Sequence, residues 1–195
     1  MSTKNTDIMF YCRRSLDLSN KKVLIRVDFN VPIKNGIVEE KTRIQSSLPI
    51  IKTCLEVGAK VMLMSHLGRP TEGKYDEAYS LAPVAKLLSE LLQRDVPLIR
   101  DWLEQDSATF PEVCLLENVR FEIGEKANDD DLARKMANLC DVFINDAFGT
   151  AHRTQASICG VAKYAPRACG GPLLVAEINA FSKALEKPDK PMVAI

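Results

Sequence analysis

Lys22-Val-Leu-Ile-Arg-Val-Asp-Phe-Asn-Val-Pro32 decides the fold: an apolar, strand-like run passes into Asp28 and Asn30 and meets Pro32. The layout recurs in Val61-Met-Leu-Met-Ser-His-Leu-Gly-Arg-Pro70, in Val113-Cys-Leu-Leu-Glu-Asn-Val-Arg-Phe121 and in Val142-Phe-Ile-Asn-Asp-Ala-Phe-Gly-Thr-Ala-His-Arg153. Short, nearly continuous apolar runs are what strands covered on both faces require. Between them lie segments of helical spacing. Arg43 to Val57 ends at Gly58, a natural C-terminal stop, and Ser80 opens a helix to Leu92 with Pro83 in its first turn. Asp129-Asp-Asp131 puts negative charge at the start of a helix continuing to Leu139, where the helix dipole favours it. Val96 to Ile99 is a further short strand, Gly68 to Tyr79 a loop, and Pro172 to Leu185 a long amphipathic helix after the flexible Gly170-Gly171. This alternation predicts an α/β fold: a three-layer, open, parallel, Rossmann-like sheet with right-handed crossovers and helices on both faces. Ligands of such sheets bind beyond the carboxyl ends of the strands, so the polar ends are expected to converge on one site.

Composition limits what that site serves. The 195 residues carry 26 Lys+Arg and 26 Asp+Glu, so no global field attracts nucleic acid or an anionic membrane, and any anion site is local. A chain of this size buries roughly 70% of its unfolded surface, enough for a substantial core. No stretch approaches the roughly 20 apolar residues of a membrane span, and Ile8-Met-Phe-Tyr-Cys12 is too short for a signal core. The six cysteines contain no Cys-x-x-Cys pair, and several lie in apolar segments, as reduced buried thiols do. A soluble cytoplasmic protein is expected. No His/Cys/Asp spacing matches a zinc site, so no metal is expected in these residues.

Both histidines, His66 and His152, follow a predicted strand and lie near an arginine, Arg69 and Arg153 respectively, while Arg43 and Arg120 join the same rim. Converging guanidiniums suit a phosphate and a carboxylate, because each planar fork donates two parallel hydrogen bonds. Asp28 and Asn30, two apart, share one face of an extended segment and suit a substrate hydroxyl, whereas Phe29 points into packing. The structural alternatives are a network pairing the arginines with Asp28, Glu117 and Asp146, and an Asx turn ending the first strand. Gly149 and Thr150 equally suit a turn. Gly68-Arg-Pro-Thr-Glu-Gly-Lys-Tyr75 matches Gly-x-x-x-x-Gly-Lys, but Tyr75 stands where a P-loop needs Ser or Thr, and the next helix starts too late.

The four motifs, in this order, resemble the N-terminal domain of phosphoglycerate kinase, over about Leu16 to Ile195. The resemblance implies an enzyme of glycolysis and gluconeogenesis that moves a phosphoryl group reversibly between 1,3-bisphosphoglycerate and ADP. It implies that residues 1–171 form a domain binding 3-phosphoglycerate. Residues 172–195 would be the interdomain helix and the start of the next strand, opened by Lys190-Pro-Met-Val-Ala-Ile195. ATP or ADP with Mg2+ would belong to a C-terminal domain absent from this chain, so the segment alone is expected to be inactive and monomeric, with its own C-terminal domain as partner. By position, Asp28 and Asn30 would hold the hydroxyl and carboxylate end, and His66, Arg69, Arg120 and Arg153 the non-reacting phosphate. Arg43 would be the catalytic arginine near the acceptor carboxylate. Phe29, Leu67 and Gly68 come with the matched segments as substrate-binding positions. Lys41 and Gln155 depart from the family's usual residues, the second in a way expected to weaken the anion field.

Overall fold

The computed structural model describes residues 16–186, so the Ile8 to Cys12 patch and the strand expected over 190–195 lie outside it. Along the chain, β1 (Lys22–Arg26) precedes a small antiparallel hairpin of β2 (Ile33–Lys34) and β3 (Ile37–Val38). Then come α1 (Thr42–Glu56), β4 (Lys60–Met64), α2 (Ala82–Leu92), β5 (Leu98–Ile99), β6 (Val113–Leu116) and α3 (Asp130–Asn138). The chain continues through β7 (Val142–Asn145), α4 (Val161–Tyr164), β8 (Ala168–Gly170) and α5 (Pro172–Glu186). Six strands form one sheet in the order β5-β6-β4-β1-β7-β8, each neighbouring pair parallel. The fold is the expected open, Rossmann-like α/β sheet.

Alternation along β1 explains the layers. Val23, Ile25 and Val27, and beyond the strand Phe29, pack with Ile44, Ile51 and Cys54 of α1 and Val84 and Leu88 of α2. Leu24 faces the other way, into a second core with Met62, Phe143 and Leu132 and Met136 of α3. Arg26 shares Leu24's side of the strand, and this places a guanidinium inside the protein at its carboxyl end. The connection leaving β1 leads toward β4, and that leaving β7 leads toward β8 on the opposite flank. A crevice therefore opens where β1 and β7 lie side by side.

Some expectations need adjustment. Asn35-Gly36, with φ of 50° and 72°, makes the tight turn of the β2–β3 hairpin, a signal the sequence reading passed over. Ser80 lies ahead of α2, because its hydroxyl donates to Glu117 while accepting from the Ala82 amide. Gly170 is a strand residue paired with Asn145, and at Gly171 an added Cβ would lie 2.4 Å from Asp146 Oδ1, so close approach rather than flexibility requires that glycine. Cys54, Cys114 and Cys140 are buried thiols whose ionisation burial pushes up to about 12. Cys159 is an exposed thiol, and the reduced-thiol expectation does not hold for Cys169, which is disulfide-bonded. Among the described residues no helix is long and apolar enough to cross a membrane.

Candidate functional site

The strand ends converge as the repeated layout implies, and Asp28 and Arg43 meet at the rim. Arg43, in the first turn of α1, donates from Nη1 to Asp28 Oδ2 at 2.6 Å, with half of its side chain exposed. The Asx alternative also holds in part, since Asp28 Oδ1 accepts from the Asn30 amide at 3.3 Å. Asn30 Oδ1 accepts from the Gly68 amide at 2.9 Å and so ties the end of β1 to the loop after β4. Gly68 has φ of 59°, and a Cβ there would meet the Tyr79 ring at 2.4 Å. Phe29 and Leu67 are buried in the core, so their side chains are not turned to solvent.

Deeper in the crevice lies His66, 3% exposed, whose Nδ1 is 3.2 Å from Arg26 Nη2. Burial, then the charges of Arg26, Arg120, Arg153 and Arg43, push its pKa down to about 2, so the ring is neutral at physiological pH. Arg120, 5% exposed, donates from Nη2 to Gln155 Oε1 at 3.4 Å, while its Nε is buried without a partner. Burial lowers its pKa, and the nearby Arg153 and Arg69 lower it further while Glu125 and Glu72 oppose. Gln155 thus contacts Arg120 through its amide oxygen. Arg153 is half-buried and Arg69 exposed. Among the described residues no carboxylate lies within ion-pair distance of Arg26, Arg69, Arg120 or Arg153.

The expected structural network accounts for only one arginine. Asp28 pairs with Arg43, but Glu117 accepts from Ser80 Oγ, the Leu81 amide and the Asn118 amide at 2.8, 2.8 and 2.9 Å. Asp146 accepts from the Leu173 and Leu174 amides at 2.7 and 3.4 Å, at the start of α5. Both acids anchor helix N-termini, where unpaired amides favour negative charge. His152 is exposed, and Gly149 and Thr150 belong to a short 3₁₀ turn over Phe148–Thr150. Residues the sequence reading passed over complete the cluster. Arg26, Ser157 and Glu125 form a buried chain: Arg26 Nε donates to Ser157 Oγ at 3.3 Å, and Ser157 Oγ donates to Glu125 Oε1 at 2.6 Å.

The Gly-x-x-x-x-Gly-Lys lookalike makes no phosphate cradle. A 3₁₀ turn over Glu77–Tyr79 and α2, which begins only at Ala82, follow it. Lys74 lines a separate cleft of about 540 Å³ with Tyr75, Arg100, Phe121 and Glu122. Among the described residues no group of three or more His, Cys, Asp or Glu side chains could hold a metal ion.

Open parallel sheet, β1–β7 crevice and convergent arginines together define an α/β protein with a cationic crest at the carboxyl ends of its strands. The family-wide sequence profile of phosphoglycerate kinase matches residues 14–195, and the chain belongs to that family. The phosphoglycerate kinases of Francisella tularensis subsp. holarctica and Francisella philomiragia subsp. philomiragia are 55% and 54% identical to it over 186 residues. Those residues are 95% of this chain and 47% of each relative. The phosphoglycerate kinase structure from Coxiella burnetii superposes with a TM-score of 0.85 at 54% identity, covering 92% of this chain and 46% of the other. The one from Pyrococcus horikoshii OT3 gives 0.79 at 34% identity, covering 93% and 47%. The chain thus spans about half the length of the relatives it matches.

Proposed function

We propose that this chain is the acceptor-binding half of a cytoplasmic, monomeric phosphoglycerate kinase of glycolysis and gluconeogenesis, and that its crest holds 3-phosphoglycerate. In this reading residues 1–171 bind the acceptor, and 172–195 lead to a nucleotide domain. ATP or ADP with Mg2+ is assigned to the half of the relatives' length that this chain does not span. The observation that carries the reading is the set of arginines without carboxylate partners, with a buried, unpartnered Nε on Arg120. A buried cation without a counter-charge is costly, and a phosphate supplies that charge together with acceptors for the open donors.

The roles follow from position. Arg69, Arg120, Arg153 and His66 hold the non-reacting phosphate, and Asp28 and Asn30 the hydroxyl and carboxylate end. A substrate carboxylate is already ionised at neutral pH, so its oxygen attacks the γ-phosphorus of ATP without a general base. The new carboxylate O–P bond forms as the bond to the ADP oxygen breaks. Arg43, on the rim and aimed by Asp28, stabilises the phosphoryl group in flight, consistent with a reaction governed by positioning and charge. The 195-residue chain by itself binds the acceptor and does not turn over. Calorimetry with 3-phosphoglycerate tests the site: binding by the wild type that Arg69→Ala or Arg120→Ala removes is expected, and unchanged binding in both variants overturns it.

A further inference from the structure

We infer that Arg26 is a positioning residue that fixes the His66 ring as its Nε2–H tautomer, so that a neutral donor rather than a lone pair is offered to the bound phosphate. The inference rests on the proposed acceptor site, and extends it to a residue that need not touch the ligand. All three guanidinium nitrogens of Arg26 are engaged: Nε with Ser157 Oγ, Nη1 with the Val27 carbonyl, and Nη2 with His66 Nδ1. Each of these nitrogens is a donor only, so His66 Nδ1 accepts, and a neutral imidazole that accepts at Nδ1 carries its proton on Nε2. Among the described residues Nε2 has no protein partner.

The need for such a device follows from the surroundings. His66 is buried among Arg26, Arg120, Arg153 and Arg43, and a fifth positive charge there is strongly disfavoured. Among these four guanidiniums the ring is neutral, so what it offers an arriving anion is a neutral N–H, and that depends on which nitrogen is protonated. Arg26 is held for the task from behind. Glu125, fully buried, accepts from the Ser157 amide at 2.9 Å and from Ser157 Oγ at 2.6 Å, which leaves that oxygen's lone pairs to Arg26 Nε at 3.3 Å. Glu125 also raises the pKa of Arg26, opposing the burial that brings it to about 10, so the guanidinium keeps its charge. The Glu125 carbonyl accepts from the Ala156 amide as well, fixing the π-helical turn over Ala156–Gly160 that carries Ser157. Such single-turn distortions commonly re-aim side chains at functional sites.

The test is nitrogen-15 spectroscopy of the imidazoles in the 195-residue chain, which has only two histidines, combined with calorimetry using 3-phosphoglycerate. Wild-type His66 is expected to show an unprotonated Nδ1 and a protonated Nε2 from pH 5 to pH 8. An imidazolium in that range, or a proton on Nδ1, overturns the inference. Arg26→Met is expected to give a mixture of tautomers and roughly tenfold weaker binding, the factor carried by about 1.4 kcal/mol. Arg26→Lys, which keeps a charged donor, is expected to recover the Nε2–H form in part. Nitrogen shifts in a folded Arg26→Met protein identical to wild type overturn the role of Arg26. Should that variant fail to fold, Ser157→Ala decides: a moved Nδ1 shift supports the chain of contacts, and an unmoved one overturns it. A wild type with the expected tautomer but no affinity for 3-phosphoglycerate overturns the acceptor-site reading and leaves the tautomer assignment, which the spectrum assesses separately, in place.

Discussion

The carboxylates and the guanidiniums at the crest of the sheet lie close in sequence and have opposite surroundings. Glu117 and Arg120 leave the same strand, and Asp146 and Arg153 leave another, yet neither pair forms an ion pair. Each acid is instead engaged with main-chain amides at the start of a helix, Leu81 before α2 and Leu173 and Leu174 in α5. That engagement leaves the arginines uncompensated. The acids hold the scaffold in place, and the arginines are the groups to which the proposed acceptor site assigns binding. Stability and binding should therefore separate cleanly between the two sets.

Glu117→Ala should have the largest effect on stability. It strands three donors in a site only 4% exposed, and at about 1 to 3 kcal/mol for each buried unsatisfied group the expected loss of stability is roughly 4 kcal/mol. Urea unfolding reads the loss, and hydrogen exchange should locate it at the start of α2. A loss below about 1 kcal/mol would mean that the anchor is not needed. Arg120→Ala should do the reverse. Binding of 3-phosphoglycerate should fall about a hundredfold, within the 2–5 kcal/mol that a buried charged contact carries, while the free protein keeps its stability to within about 1 kcal/mol. A large fall in stability without a fall in affinity would move Arg120 to the scaffold side.

Asp146 makes the acidic side of the crest sensitive to pH. Burial raises its pKa to about 6, its bonds to the Leu173 and Leu174 amides opposing, and Oδ2 has no partner. A folded pKa above the unfolded value of about 3.9 means that the native state binds the proton more tightly. The resulting stability is full below about pH 4 and is lost as pH rises through about 6, a change on the order of 2–3 kcal/mol. The stability of wild type relative to Asp146→Asn should fall over that window and be flat above it. A flat difference throughout would show that the carboxyl titrates alike in both states.

Much of this was legible in the sequence, because apolar runs ending in polar clusters report strands covered on both faces and their shared end. The cap at α3 was equally legible: Asp129 Oδ1 accepts from the Leu132 amide at 2.8 Å. Arg26 had a usable signal in its parity with Asp28 and Asn30, two and four residues on, but an arginine ending an apolar run reads first as a surface residue. Glu125 and Ser157 carried no local signal, since they are joined only by the fold across 32 residues. Nor could the sequence say whether Glu117 and Asp146 would take arginines or amides. That choice depends on how α2 and α5 approach the crest. His152 has the sequence position of a site residue and is nonetheless exposed, because the short helical turn over Phe148–Thr150 intervenes after β7 and resets the strand's alternation.

The smallest expected effect compares the crest with the cleft beside Tyr75. That cleft is roomy, about 540 Å³, and Lys74, Arg100 and Lys135 line it together with Asp101, Glu104, Glu122, Asp129 and Asp131. Its cations are matched by acids, whereas Arg69, Arg120 and Arg153 of the crest have no carboxylate within ion-pair distance among the described residues, and charge balance rather than volume decides where an anion gains most. Lys74→Ala should accordingly leave 3-phosphoglycerate affinity within about twofold of wild type, since a solvated charge facing carboxylates contributes little to a distant anion. Weak ATP binding that disappears in Lys74→Ala would restore a P-loop-like role to the Gly68–Tyr75 segment. Binding indifferent to the substitution keeps the crest as the anion site, and it does so by comparing two lysine- and arginine-bearing surfaces of one molecule under the same conditions.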